Sequence, residues 1–139
     1  MSNSVDPTRQ QFDAFKKLPR DTPIMMLNLI SLRDEAQYPD GRNASGAQAY
    51  NSYGEESGPI FKRVGGEIIW RGEPECVVTG PLEEAWDIAF IARYPNAGAF
   101  LAMITDADYK RVVVHRQAAV LDSRLIRLGD AIEGSGFSG

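Results

Sequence analysis

The run from Val64 to Pro74 constrains the fold more than any other segment of this chain. It reads Val-Gly-Gly-Glu-Ile-Ile-Trp-Arg-Gly-Glu-Pro. A double glycine commonly ends a helix, and the isoleucines and tryptophan that follow are residues that strands favour. Gly72-Glu73-Pro74 then reads as a tight turn. The run therefore predicts a helix, then a strand, then a turn into a further strand.

Hydrophobic periodicity and capping signals extend this pattern over the rest of the chain. They predict an N-terminal helix at about 7–18, a buried strand at 24–32 and a helix that opens at Ser45 and Gln48. After the hairpin come a strand at 86–94, helices at 96–104 and about 106–121, and a last strand at 123–128. This is an α+β, ferredoxin-like βαββαβ order, with an antiparallel four-stranded sheet, a split second strand and an added N-terminal helix.

Composition narrows the class of protein. The 139 residues predict a single domain over 1–139, with its core at about 23–128 and a disordered Gly- and Ser-rich tail at about 133–139,. A net charge of -4 argues against nucleic acid as a partner,. No apolar run approaches the roughly 20 residues of a membrane span. The single Cys76 and the lack of a secretory signal favour the cytoplasm,.

Several short motifs resemble a known family. They are Gly65-Gly66, Trp70-Arg71-Gly72, Gly80, Tyr94-Pro95-Asn96, Tyr109, Arg116 and Asp122-Ser123, together with a longer N-terminal half. The chain is similar over 23–128 to small bacterial proteins of the dimeric α+β barrel superfamily, catalogued as the domain of unknown function numbered thirteen-thirty. Arg93 departs from the acidic residue common there. The resemblance implies a homodimer in which two sheets face each other, and it implies no assigned reaction.

Two polar residues lie inside predicted strands. Asn28 interrupts an apolar strand, where a buried amide is costly unless both its ends are bonded,. It either bonds a neighbouring loop or bulge or faces a ligand. Arg93 falls on the more polar face of its strand and either holds an anionic ligand group or pairs with Asp87 or a carboxylate of a partner chain.

His115 is the only histidine, so acid-base catalysis near neutral pH would fall to it,. Its place at the border of a buried helix face is equally typical of a structural residue. Arg116 on the same helix predicts an internal salt bridge with Asp122 or Asp87. Other aromatic side chains are either core residues or the walls of a site; they are Tyr50, Tyr53, Trp70 and Tyr109.

These residues predict a small-molecule site between the sheet and the helix that carries Tyr50 and Tyr53. His115 and Asn28 are its candidate catalytic residues. The candidate ligand-binding residues are Tyr50, Tyr53, Trp70, Arg93, Tyr109 and Arg116. One histidine and one cysteine do not make a usual zinc site, and we expect no metal or cofactor. The protein is then a cofactor-independent oxygenase or isomerase, or it binds a small molecule or a partner without catalysis.

Overall fold

The structure is a computed structural model that describes residues 3–130 and 136–137. In chain order its elements are α1 (Arg9–Lys17), β1 (Ile24–Leu32), α2 (Gly46–Arg63), β2 (Glu67–Gly72), β3 (Ile88–Tyr94), α3 (Ala97–Thr105), α4 (Ala107–Ala119) and β4 (Val120–Leu128). None of these described helices has the length and apolar character needed to cross a membrane. The predicted tail at 133–139 lies mostly outside the described residues.

The strands form one antiparallel sheet in the order β2-β3-β1-β4, and this confirms the ferredoxin-like prediction. Three of the helices pack on a single face of that sheet. Their residues Ile60, Met103 and Val112 share a hydrophobic core with Met26 of β1 and Ala92 of β3. The opposite face, which we call the open face, has no described helix over it.

Short polar signals set the helix ends. Ser45 and Gln48 form the predicted capping box of α2, in which each side chain accepts a hydrogen bond from the other residue's backbone N–H,. At the other end, Gly65 has a φ of 87°, the left-handed conformation in which glycine commonly ends a helix,. α1 begins at Arg9 and not near the predicted residue 7, because Thr8 is its N-cap.

The predicted hairpin after Gly72 is wrong. β2 ends there, and residues 73–87 form a connection without a strand. Gly72 lies opposite Ala89, one residue from the start of β3, so the chain beyond Gly72 has no strand left to pair with. Val78 in this connection is 90% exposed. The valines and threonine of this segment favour a strand, but a strand forms only where a neighbouring strand is available for pairing,.

The connection between β1 and α2, residues 33–45, folds back onto the helices. Its backbone bonds the last turn of α4, from Arg33 N–H to the Ala119 carbonyl at 2.8 Å and from Gln37 N–H to the Ala118 carbonyl at 2.9 Å. Tyr38 packs there with Ala49 in a second buried cluster. The connection is thus part of the packed fold.

Candidate functional site

One row of side chains on the helix-facing side of the sheet stays open to solvent. Cross-strand pairing places Arg71, Phe90, Asn28 and Leu125 side by side on β2, β3, β1 and β4. Leu125 is 41% exposed, Arg71 is exposed, and Asn28 and Phe90 are half-buried. We call these four residues the central row.

The residues on either side of Asn28 that share its face of β1 are buried. Met26 is 3% exposed in the row above, and Ile30 is 1% exposed in the row below. Asn28 lies between them on the same face of the strand, and it is more exposed than either of them,. Water therefore reaches the helix-facing side of the sheet at this row, and we define the central row as the floor of a candidate cleft.

The roof of the cleft consists of aromatic and basic side chains from α2 and α4. The ring centroids of Tyr50 and Tyr53 are 5.6 Å apart. The Tyr53 hydroxyl is 2.8 Å from the hydroxyl of Tyr109 on α4. The charge of Arg116 acts on all three tyrosines, and that of Arg71 reaches Tyr50 from the floor. Phenol and guanidinium groups thus converge above the central row.

Burial reinforces the protonated state of the roof phenols, which is also their ordinary state near neutral pH. Loss of hydration raises the pKa of Tyr50 to about 12, although the positive charges of Arg116 and Arg71 oppose the rise,. Burial likewise raises the pKa of Tyr53 and of Tyr109. All three phenols therefore keep their protons near neutral pH, and they act in the cleft as hydrogen-bond donors and not as bases.

Replacing Tyr50 with phenylalanine should flatten the loss of stability at alkaline pH. The pKa of Tyr50 is raised in the folded chain, so its contribution is complete below pH 10 and is lost as pH rises towards 12,. Urea unfolding between pH 9 and 12 should show the variant losing about 2–3 kcal/mol less than the wild type. Below pH 9 the difference between the two proteins should be constant, and equal slopes above pH 10 would contradict this assignment.

Asn28 supplies an amide to the floor. Its Nδ2 donates a hydrogen bond to the carbonyl of Met26 at 3.0 Å, within its own strand and not to the neighbouring loop or bulge that the sequence offered as one alternative. Its Oδ1 accepts no hydrogen bond from the described residues, and it is not among their buried unsatisfied atoms. The oxygen is therefore an acceptor available to a molecule in the cleft.

Arg116 does not form the salt bridge that the sequence predicts. Asp122 pairs with Arg124 instead, and Asp87 accepts a hydrogen bond from the backbone of β1. Arg116 donates to the Val5 carbonyl at 2.5 Å and to the Ser123 hydroxyl at 3.3 Å. Asp6 lies at 4.0 Å. Arg116 thus fastens the N-terminal segment over β4 and α4.

Because these partners are mostly neutral, Arg116→Ala should cost about 1–3 kcal/mol, less than breaking a buried ion pair. Arg111 on the same helix is the control, since its side chain is 72% exposed and pairs with an exposed carboxylate. Arg111→Ala should change the unfolding free energy by less than about 0.5 kcal/mol. Chemical unfolding of both variants checks this, and equal stability of the two would show that the Arg116 contacts contribute little.

His115 lies outside the cleft, between α2 and the 33–45 connection. Its Nε2 is 2.9 Å from a carboxylate oxygen of Glu56, and its Nδ1 is 2.6 Å from the Tyr38 hydroxyl. With the proton on Nε2 facing the carboxylate, Tyr38 donates to Nδ1. The side chain is 12% exposed. In this arrangement His115 ties the 33–45 connection to the helices.

Two other candidates lie on the open face. Trp70 is opposite Ile91, and Arg93 is opposite Glu67, which its guanidinium approaches to 3.8 Å, so the predicted pairing with Asp87 is not formed. The prediction that Trp70, Asn28 and His115 share one pocket is therefore wrong, because they lie in three different places. The fold brings together four candidates on α2 and α4, which are Tyr50, Tyr53, Tyr109 and Arg116. Asn28 lies on the helix-facing side of the sheet.

Comparison with known proteins identifies the family. The model for the domain of unknown function DUF1330 matches residues 43–127. The chain belongs to the DUF1330 family. None of the curated proteins matches this DUF1330 chain.

Solved structures similar to this DUF1330 protein give the same fold. A crystal structure of the methylated protein RPA0582 is 50% identical, with a TM-score of 0.92, and the match covers 97% of this chain and all of that one (100%). A second structure, from Rhodopseudomonas palustris and described as of unknown function, is 48% identical over 95% of this chain and 100% of that one, with a TM-score of 0.90. A Bacteroides thetaiotaomicron protein provisionally named an antibiotic biosynthesis monooxygenase is 16% identical, with a TM-score of 0.50 over 84% of this chain and 96% of that one. This last likeness shows the fold only.

The sequence did not indicate Arg71, Phe90 and Leu125 as residues of the cleft, or Tyr38 and Glu56 as partners of His115. Phe90 could have been found, because it lies on the strand face predicted to pack under the helices. The others depend on contacts between distant parts of the DUF1330 chain. In the described residues no group of three or more His, Cys, Asp or Glu side chains could hold a metal ion.

Proposed function

We propose that the protein is a homodimer that binds a small, partly apolar molecule in the cleft between the sheet and the helices. One observation carries the proposal. Asn28 in the central row stays accessible to water, although Met26 and Ile30 on either side of it on the same face of β1 are 3% and 1% exposed. Such a concave, mostly apolar space with a few polar groups is the usual character of a small-molecule site.

The open face supports the dimer. Leu27 and Leu29 of the central strand β1 point to this face, beside Ile91 of β3 and Ile126 of β4. Ile126 is 46% exposed in the single chain. An exposed apolar patch of this kind at the centre of a sheet is unfavourable in water and is typical of a protein interface. Two such faces packed together would bury it.

Trp70 is the most prominent side chain of this surface, with 55% exposure. A Cβ atom on Gly72 would lie 2.6 Å from its ring, so glycine at that position allows the indole to lie flat along β2. Large aromatic residues often provide the main binding energy of an interface. We therefore assign Trp70 to the dimer contact. The free, exposed Cys76 fits the cytoplasmic location that we also propose,.

The polar groups of the cleft favour binding over proton abstraction. Because the raised pKa of Tyr50 keeps its phenol protonated, it donates hydrogen bonds, as do Arg71 and Arg116,. These groups stabilise negative charge on a bound molecule. If the protein is an enzyme, we propose a cofactor-independent oxygenase or isomerase. The same donors would then stabilise the anion of a substrate that is acidic enough to lose its own proton.

Titration of isotope-labelled protein with 4-methylphenol, followed by NMR, tests the site. We expect saturable shifts at the amide signals of Asn28, Phe90 and Tyr50, and a clearly weaker affinity in Asn28→Leu. His115→Gln is the control, because His115 lies outside the cleft, and it should bind the probe like the wild type. Shifts confined to the open face, or none, would reject the cleft as the site.

A further inference from the structure

The two charged side chains that we assign to the cleft, Arg71 and Arg116, are both positive. Arg71 lies on the edge strand β2, and within the described residues no carboxylate pairs with it. Its charge and that of Arg116 both act on Tyr50, the first from the sheet and the second from α4. Arg116 is already engaged by Val5 and Ser123. Arg71 is thus the cation with free donors, and the protonated Tyr50 hydroxyl lies near it.

The chemical character of the central row also changes from one end to the other. Arg71 stands at the β2 end and Leu125 at the β4 end, with Phe90 and Asn28 between them. Neighbouring strands are about 4.8 Å apart, so the row spans roughly 14 Å, and the backbones of Arg71 and Asn28 are separated by roughly 10 Å. From one end to the other, the floor offers a cation, an aromatic ring, a free amide oxygen and an aliphatic side chain.

We propose, building on the proposed function, that the ligand is an elongated aromatic monocarboxylate that carries a hydroxyl group remote from its carboxylate. The carboxylate accepts hydrogen bonds from Arg71 and Tyr50, which matches the planar donor geometry of guanidinium. The ring lies over Phe90 and beneath the tyrosine rings of α2. The hydroxyl donates to Oδ1 of Asn28, the acceptor that the protein leaves without a bond. The ligand thereby satisfies the groups that the cleft presents.

Three compounds separate the parts of this inference. The complete probe is 3-(4-hydroxyphenyl)propanoate. The second, 3-phenylpropanoate, lacks the hydroxyl, and the third, 3-(4-hydroxyphenyl)propan-1-ol, lacks the charge. Calorimetric titration of the dimer should show the complete probe binding at least about tenfold more tightly than either of the others, as expected when a site's polar groups lose their partner.

Two variants assign the preferences to residues. Arg71→Met keeps the length of the side chain and removes the charge, so it should abolish the advantage of the acid over the alcohol and leave the alcohol's affinity within twofold. Asn28→Leu should abolish the advantage of the hydroxylated acid over 3-phenylpropanoate. Arg111→Met is the control for loss of positive charge, since Arg111 is exposed on α4 away from the cleft, and it should bind all three compounds as the wild type does.

The outcomes distinguish this inference from the proposed function. Equal affinities for the three compounds, or a preference for the acid that persists in Arg71→Met, would overturn the ligand class while leaving the cleft as a binding site. Failure of all three to bind while 4-methylphenol still binds would do the same. If 4-methylphenol does not bind in the cleft either, both proposals fail.

Discussion

Replacing Gly46 with alanine is expected to destabilise the protein by about 3 kcal/mol or more, among the largest effects of a single added methyl group. Gly46 is the first residue of α2 and is buried. A Cβ atom there would lie 1.8 Å from the carbonyl oxygen of Arg33. This neighbour is backbone, and the adjacent Asp34 carbonyl accepts the Gly46 N–H at 3.2 Å, so the 33–45 connection cannot simply move away.

Gly54→Ala on the same helix is the matched control. An added Cβ at the exposed Gly54 has no neighbouring side chain or other segment within 4 Å, so alanine should stabilise the helix by roughly 0.5–1 kcal/mol through its higher helix propensity,. Urea unfolding measures both variants. If Gly46→Ala were as stable as the wild type, the close seating of the 33–45 connection on α2 would be wrong.

Replacing Leu27 with aspartate is expected to convert the dimer to a monomer. Leu27 is at the centre of the open face, between Ile91 and Ile126 on the neighbouring strands. In a symmetric dimer two carboxylates would be buried without partners, which costs several kcal/mol. A loss of about 4 kcal/mol raises the dissociation constant roughly a thousandfold. Sedimentation velocity at micromolar concentration measures the change.

The control for Leu27→Asp is Gln10→Glu, which adds the same charge on an exposed position of α1. It should remain dimeric, and circular dichroism should show that Leu27→Asp is still folded, because its side chain is away from the helix-packed core. A Leu27→Asp protein that stays dimeric would exclude the open face as the interface. A wild-type protein that is monomeric would exclude the dimer itself.

The architecture follows from patterns that are visible in the sequence. Strand and helix order, the capping box at Ser45 and the glycine that ends α2 all rest on local rules, and each is confirmed. The extra strand after Gly72 fails because pairing is not local. Residues with strand propensity form a strand only where a neighbouring edge is within reach.

The site is harder to predict, because a single irregular position decides it. Simple alternation puts Trp70 on the same side of β2 as Ile68. A bulge between those two residues shifts the register, so Ile68 stays with Ala92 on the helix-facing side while Trp70 turns to the open face and Arg71 enters the cleft,. No pattern in the strand marks that bulge. The sequence therefore assigns Trp70, which lies on the open face, to the site and overlooks Arg71.

Side-chain partners across the fold are likewise invisible in the sequence. The spacing along α4 places Arg116 near the core, but its acceptors are on residues 4–6 and on β4. His115 meets Tyr38 from a connection whose path depends on the second core cluster. Periodicity predicts which face a residue occupies, and it does not predict what lies opposite.

The most direct test of the cleft is the electron density between Asn28 and Tyr50 in a high-resolution crystal structure of the protein purified without added ligand. We expect ordered water or a bound molecule there, within hydrogen-bond distance of Oδ1 of Asn28 and of the Tyr50 hydroxyl. Protein donors bonded to both of these groups, with the central row as closed as its neighbours, would contradict it.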